Sequence, residues 1–260
     1  MKKFAKKILL LKLYFLRNFL NFFFDFKEVS VLGYHSVSDE GAQTSVSREN
    51  FERQIKFLKN KNYYFASLGE IADYIKGSRD LPQKTVALTF DDGYQSVFDN
   101  ALPVLSQHKI PATVFMVSGA EEAMPTGQTS IKNFGNDLTL LNSEQILKMK
   151  EAGIKFEGHS KTHRMLDGLP IGEVRKEVER NNCDYFAYPG GHSSKEAIEA
   201  VKEAGYKGAF SIRPGLVRKG DDLFYIKRNV ILGEMSLGEF KARVTKAVEG
   251  YQKIVRFFKN

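Results

Sequence analysis

The chain has 260 residues, 42% of them hydrophobic and 27% charged, a composition that supports one well-buried globular domain. Its formal net charge is +8, but Lys and Arg are scattered and no RNA- or DNA-binding motif accompanies them, so no nucleic-acid partner is expected. A single cysteine, Cys183, excludes an intramolecular disulfide and leaves the compartment open.

Part of the positive charge lies at the start, in Lys2, Lys3, Lys6, Lys7, Lys12 and Arg17. The Leu- and Phe-rich stretch Ile8 to Phe26 contains an uncharged run, Asn18 to Phe24, too short to span a bilayer, which needs about 20 apolar residues. Plotted as a helix, Tyr14, Arg17, Asn18, Asn21 and Asp25 fall on one face, and Leu9, Leu13, Leu16, Leu20 and Phe23 on the other. Residues 1–28 therefore read as a basic amphipathic segment that contacts an anionic membrane surface, with an uncleaved signal anchor or a helix packed on the domain as alternatives. Residues 29–260 read as the globular domain.

A strand, Val29 to Tyr34, runs into His35, and helices follow at Arg48 to Asn60 and Leu68 to Ile75. The next strand, Thr85 to Phe90, ends in Asp91-Asp92-Gly93-Tyr94. Successive strand side chains point opposite ways, so the two carboxylates act together only if the backbone turns there, and Gly93 permits the turn. One Asp can then hold a cation while its neighbour acts as base. A helix at Val97 to Gln107 and a strand at Ala112 to Val117 lead to Ala120–Asp137, polar and without period, either a substrate-covering loop or a solvated insertion.

After a helix at Ser143 to Ala152, the strand Ile154 to Glu157 runs into Gly158-His159-Ser160-Lys161-Thr162-His163. Two histidines four apart lie on one face of a helical turn, close enough to share a metal ion. With one carboxylate they form a His2Asp set that leaves positions open for water and substrate, the layout of catalytic zinc, although cobalt or nickel suits the same donors. A helix at Ile171 to Asn181 precedes an aromatic strand, Phe186-Ala187-Tyr188, that stops at Pro189-Gly190-Gly191. Then come a helix at Lys195 to Ala204, short strands near Ala209 and Ile226, and an amphipathic helix from Leu237 to Phe258. This alternation implies an α/β fold of parallel strands and crossover helices, with all three motifs at carboxyl ends of strands.

Thr89-Phe90-Asp91-Asp92-Gly93, His159-Ser160-x-x-His163 and a strand ending in Pro189-x-Gly191, in that order, resemble the polysaccharide deacetylases of the NodB-homology class, over about Val29 to Leu232. Val31-Leu32-Gly33-Tyr34-His35-Ser36-Val37 and Phe186-Ala187-Tyr188-Pro189 look closest to the branch that deacetylates poly-N-acetylglucosamine. The resemblance implies a distorted (β/α) barrel with fewer than eight parallel strands. It also implies Asp91 as general base, Asp92, His159 and His163 as ligands of a divalent metal such as zinc, and the Gly190 N–H as oxyanion donor. The substrate would be an N-acetylglucosamine polysaccharide, which places the protein at the cell envelope. No oligomeric state is implied.

The sequence departs from the family pattern at three points, the first being Gly190 where an aromatic is more usual, which keeps the backbone donor but removes a sugar-stacking wall. Ala187 stands where an arginine usually pairs with the base, so Arg228, in Ile226-Lys227-Arg228-Asn229, becomes the candidate for that pairing, a surface cation being the alternative. The late Leu-x-His that supplies a general acid is missing from Val230-Ile231-Leu232-Gly233, leaving His35 as the catalytic candidate near the rim. Tyr34, Tyr94, Tyr188, Pro189, Gly190 and His192 are the candidate substrate contacts. Two other readings stand beside this one: an amidohydrolase whose tyrosines line a closed pocket for small amides, and a carbohydrate-binding protein without catalysis.

Overall fold

The computed structural model of the protein describes residues 8–9, 11–16, 27–39, 43–118 and 139–250. The strands are β1 (Glu28–Tyr34), β2 (Tyr64–Phe65), β3 (Lys84–Phe90), β4 (Thr113–Met116), β5 (Lys155–Gly158), β6 (Tyr185–Ala187), β7 (Gly208–Phe210) and β8 (Asn229–Val230). Between and after them lie α1 (Arg48–Asn60), α2 (Leu68–Lys76), α3 (Leu102–Gln107), α4 (Ser143–Glu151), α5 (Ile171–Glu177), α6 (Lys195–Glu203) and α7 (Leu237–Arg243). Ser67 with Glu70, Asn142 with Gln145 and Ser236 with Glu239 form reciprocal capping boxes that start α2, α4 and α7.

Seven strands follow one another in the order β7-β6-β5-β4-β3-β1-β8, and the two-residue β2, which the sequence pattern did not reveal, pairs with the first half of β3. Every strand pair is parallel. One irregular run of chain links the two edges of this curled sheet. Ile226 bridges to Phe210 of β7, and three residues later Asn229 pairs with Leu32 of β1. The strand expected near Ile226 is thus split between two neighbours.

Alternation along the strands separates two cores. Val29, Val31, Ala87, Phe115, Tyr185, Ala187 and Phe210 point inward and meet Ile71, Ala72 and Ile75 of α2. Leu32, Tyr34, Leu88, Phe90 and Val114 point outward, against Phe51, Ile55 and Leu58 of α1 and Met149 of α4. Phe186 and Tyr188 point outward into a third cluster, with Val174 of α5 and Ala197 and Val201 of α6.

Three elements differ from expectation. The helix expected to reach Asn181 stops at Glu177. The last helix ends at Arg243, and after a break at residues 244–246 helical backbone resumes at 247–250, so Leu237 to Phe258 is not one helix; residues 251–258 lie outside the described residues. Near the N-terminus, Leu13 and Tyr14 pack against Ala242 and Ala247, while Phe15 and Leu16 are exposed. Tyr14, placed on the polar face by the helical plot, is therefore a packing residue. The loop expected over Ala120–Asp137 and the segment 17–26 lie outside the described residues.

Candidate active site

β3 and β5 flank β4 and run parallel to it, which brings the Asp pair and the two histidines to one rim of the sheet. The backbone turn that the Asp pair requires begins at Asp92 itself, with φ 73°, and continues through Gly93 at φ 79°. A side chain at Gly93 would be strained at this φ and would have to displace Met116, whose sulfur lies 2.2 Å from the position of a Cβ there. The turn swings Asp92 away from the strand alternation, so that Asp91 and Asp92 both reach the site.

His159 and His163 meet on a loop, not on the helical turn expected from their spacing. Ser160 at φ 65° and His163 at φ 59° both adopt left-handed backbone, which reverses the chain between the two rings. Their ring centroids are 4.9 Å apart. Non-glycine residues in this region are strained and collect at functional sites.

The three donors converge. Asp92 Oδ1 lies 3.3 Å from His159 Nε2 and 3.2 Å from His163 Nε2. His159 Nδ1 donates to the Ala187 carbonyl at 2.8 Å, which leaves the lone pair on Nε2 directed at the carboxylate. Among the described residues neither Asp92 oxygen receives a hydrogen bond, although the residue is fully buried. Ring nitrogens and carboxylate oxygens aimed at one buried point need a cation between them, a proton or a metal ion, and the convergence of three such donors fits a divalent metal. Burial alone would raise the Asp92 carboxyl, but His159 and His163 outweigh it and hold it far below the usual range. His159 shows the complementary effect: burial lowers its pKa, and Asp92 and Asp91 more than reverse that.

Beside this set, Arg228 resolves the missing third-motif arginine. It projects from the run that links the sheet edges and is fully buried. Its Nη1 and Nη2 donate to the two Asp91 oxygens at 2.6 and 2.8 Å. Nε donates to the Ser211 carbonyl at 3.0 Å, Nη1 also reaches Thr89 Oγ1 at 3.2 Å, and the guanidinium lies 5.3 Å from the Phe115 ring centre. It is not a surface cation. Burial pulls the Asp91 carboxyl upward, but Arg228, His159 and His35 bring it below the ordinary value, so Asp91 is ionised at neutral pH. Ser211 escaped sequence reasoning, and Thr89 stood in the first motif without a role, because their links to Arg228 run between distant parts of the chain.

His35 follows β1 directly and is close enough to lower both Asp91 and Asp92. Its Nδ1 is buried and has no hydrogen-bond partner among the described residues. Gly190 has φ 63°, and a Cβ there would come within 2.9 Å of Met165, so the chain turns tightly after the buried Pro189. His192 is exposed on the rim, 4.0 Å from Asp167.

The tyrosines do not form the expected substrate wall. Tyr34 is fully buried outside the barrel, stacked on Phe90 and donating to Gln54 at 2.8 Å. Tyr188 is likewise buried and donates to the Phe224 carbonyl. Both have the outward parity of their strands, which sends them into the helical layer. Tyr94 is only 3% exposed, and burial followed by the nearby Asp92 charge pushes its phenol pKa up; it offers no open sugar platform.

Comparison with known proteins agrees with this geometry. The family described as polysaccharide deacetylase matches residues 78–209, about half of the chain. The poly-beta-1,6-N-acetyl-D-glucosamine N-deacetylase of Staphylococcus aureus is 29% identical over 236 residues, which cover 84% of this chain and 74% of that protein. Among solved structures, IcaB from Ammonifex degensii has a TM-score of 0.71 at 25% identity, over 85% of this chain and 97% of that one. The Streptococcus pyogenes deacetylase PplD, solved in complex with acetate, shares the fold with a TM-score of 0.72 at 22% identity, over 84% of this chain and 98% of that one. The motifs, the parallel distorted barrel and the matched segment agree: the chain belongs to the polysaccharide deacetylase family.

Proposed function

We propose that the protein hydrolyses the N-acetyl groups of N-acetylglucosamine units in a polysaccharide, using a divalent metal held by Asp92, His159 and His163, with zinc the best match to the donors. The observation that carries this reading is the bidentate Arg228–Asp91 pair beside three converging metal donors. A divalent ion bound there polarises an acetamide carbonyl and lowers the pKa of water. Asp91, ionised and held in one orientation by Arg228, accepts the proton of the attacking water. The Gly190 N–H is the backbone donor for the developing oxyanion, a role that needs no side chain. His35 is the proton donor for the leaving amine, with an Nδ1 that has no hydrogen-bond partner among the described residues.

Two observations weigh against the rival readings. Tyr34 and Tyr188 turn away from the site, so no closed aromatic pocket for small amides is formed by them. Arg228 supplies the cation whose absence would have favoured a binding protein without catalysis. The name of the S. aureus relative favours a β-1,6 linkage. The deciding experiment is acetate release from β-1,6 and β-1,4 oligomers of N-acetylglucosamine. Release should require metal, vanish on chelation, return with zinc and be abolished in Asp91→Asn; activity indifferent to chelation or to that substitution would sink the proposal.

Residues 1–28, with exposed Phe15 and Leu16 and the lysines around them, support peripheral contact with an anionic membrane at the cell envelope. Among the described residues no helix is long and apolar enough to cross a membrane. Sedimentation with anionic but not neutral vesicles is expected, and equal behaviour with both would contradict this placement.

A further inference from the structure

We infer that Glu177, on an outer helix and outside the reacting groups, is a positioning residue that sets the metal-ligand loop through Thr162; the inference rests on reading Asp92, His159 and His163 as a metal site. Glu177 is the last residue of α5 and is only 6% exposed. A carboxylate there is disfavoured twice, by desolvation and by the negative end of the helix. An apolar side chain would fill the space without either cost.

What the carboxylate holds explains its presence. Oε2 accepts the Thr162 N–H at 2.8 Å, and Oε1 accepts the Thr162 hydroxyl at 2.5 Å. The Glu177 main-chain carbonyl accepts the Lys161 N–H at 2.9 Å. Lys161 and Thr162 lie between the two histidines, so one glutamate grips the middle of the ligand loop by three hydrogen bonds. The first part of the loop is tied elsewhere: His159 N–H donates to the Met116 carbonyl and Ser118 N–H to the Ser160 carbonyl.

The loop needs such a grip because its conformation is strained at Ser160 and His163 and because Thr162 is itself exposed, so packing does not hold it. His163 N–H donates to the Ser160 hydroxyl at 2.9 Å, a bond within the same strained turn. Glu177 fixes that turn to a helix, and so places the His163 ring relative to His159 and Asp92. Partners that orient metal ligands act in this way, and their loss weakens metal binding by roughly 10–100-fold.

The test is the zinc dissociation constant of the metal-stripped full chain, read by competition with a chromophoric chelator, together with the melting temperature of the stripped protein. Glu177→Ala should raise the dissociation constant by roughly 10–100-fold. Glu177→Gln, which still accepts the Thr162 N–H, should raise it less. Thr162→Val changes an exposed residue, removes only the hydroxyl bond and should weaken zinc binding in the same direction. The two losses should be less than additive in Thr162→Val/Glu177→Ala. Should Glu177→Ala not fold, Glu177→Gln and Thr162→Val decide the matter. Unchanged zinc affinity in the folded variants, whatever their melting temperatures, would overturn the inference and leave Glu177 a structural residue. If instead the parent chain takes up no zinc, or His163→Ala binds it as tightly as the parent, the metal reading fails as well.

Discussion

Replacing Arg228 by methionine removes the one guanidinium that both oxygens of Asp91 face, and leaves a carboxylate that is 3% exposed without its cation. Methionine roughly keeps the volume against Phe115, so the change isolates charge and hydrogen bonding. Breaking one side of a buried ion pair costs about 3–5 kcal/mol. In a domain of this size that is a drop in melting temperature of roughly 6–20 °C. The measurement belongs on the metal-stripped protein, because a bound dication would partly compensate the orphaned carboxylate. Asp91→Asn strands the buried Arg228 in turn, so each single variant should be unstable and the double variant, with both charges gone, should recover much of the loss. A lysine should not rescue position 228, since it cannot bind both Asp91 oxygens and the Ser211 carbonyl at once. A coupling energy below about 1 kcal/mol in this cycle would refute the claim that Arg228 fixes Asp91.

Tyr34→Phe removes the phenol from Gln54 and should destabilise by about 1–3 kcal/mol while leaving the KM for oligosaccharide unchanged; a raised KM would return Tyr34 to the substrate site. Burial pushes the Cys183 thiol up to about 11. Alkylation by iodoacetamide at pH 8 should therefore run roughly two orders of magnitude slower than for an ordinary thiol, and rapid stoichiometric labelling would contradict the placement. For Glu249, burial raises the carboxyl but the bidentate Arg218 and the Leu216 N–H outweigh it, so its folded pKa lies below the ordinary value. Its stabilisation is complete above the unfolded carboxyl range, about 4.3, and is lost as pH falls through the lower folded value. The stability gap between the parent and Glu249→Gln should thus shrink on acidification below about pH 4, and a widening gap would be inconsistent with the pair.

The sequence by itself carried the alternation of strands and helices and the three motif positions, because strand and helix periodicities and turn residues are local properties. Asp91, Asp92, His159 and His163 were legible for the same reason: each motif sits within a few residues of a strand end, and parallel strands deliver their carboxyl ends to one rim. Local pattern was less reliable where it depended on backbone detail. The histidine spacing suggested a helical turn, yet left-handed residues at Ser160 and His163 form a loop, and only tertiary anchors such as Glu177 hold it.

Tertiary structure alone decided which face each aromatic takes and where the missing cation comes from. Tyr34 and Tyr188 stand next to motif residues in sequence, but strand parity sends them outward, and parity relative to the core is fixed only when the sheet curls. Arg228 reaches Asp91 across 137 positions of chain, from a run whose two ends pair with different strands. No local propensity encodes that contact. It exists because closing the sheet brings the end of β7, the end of β3 and the start of β8 together around one buried carboxylate, whose charge cannot stay in the interior without a partner.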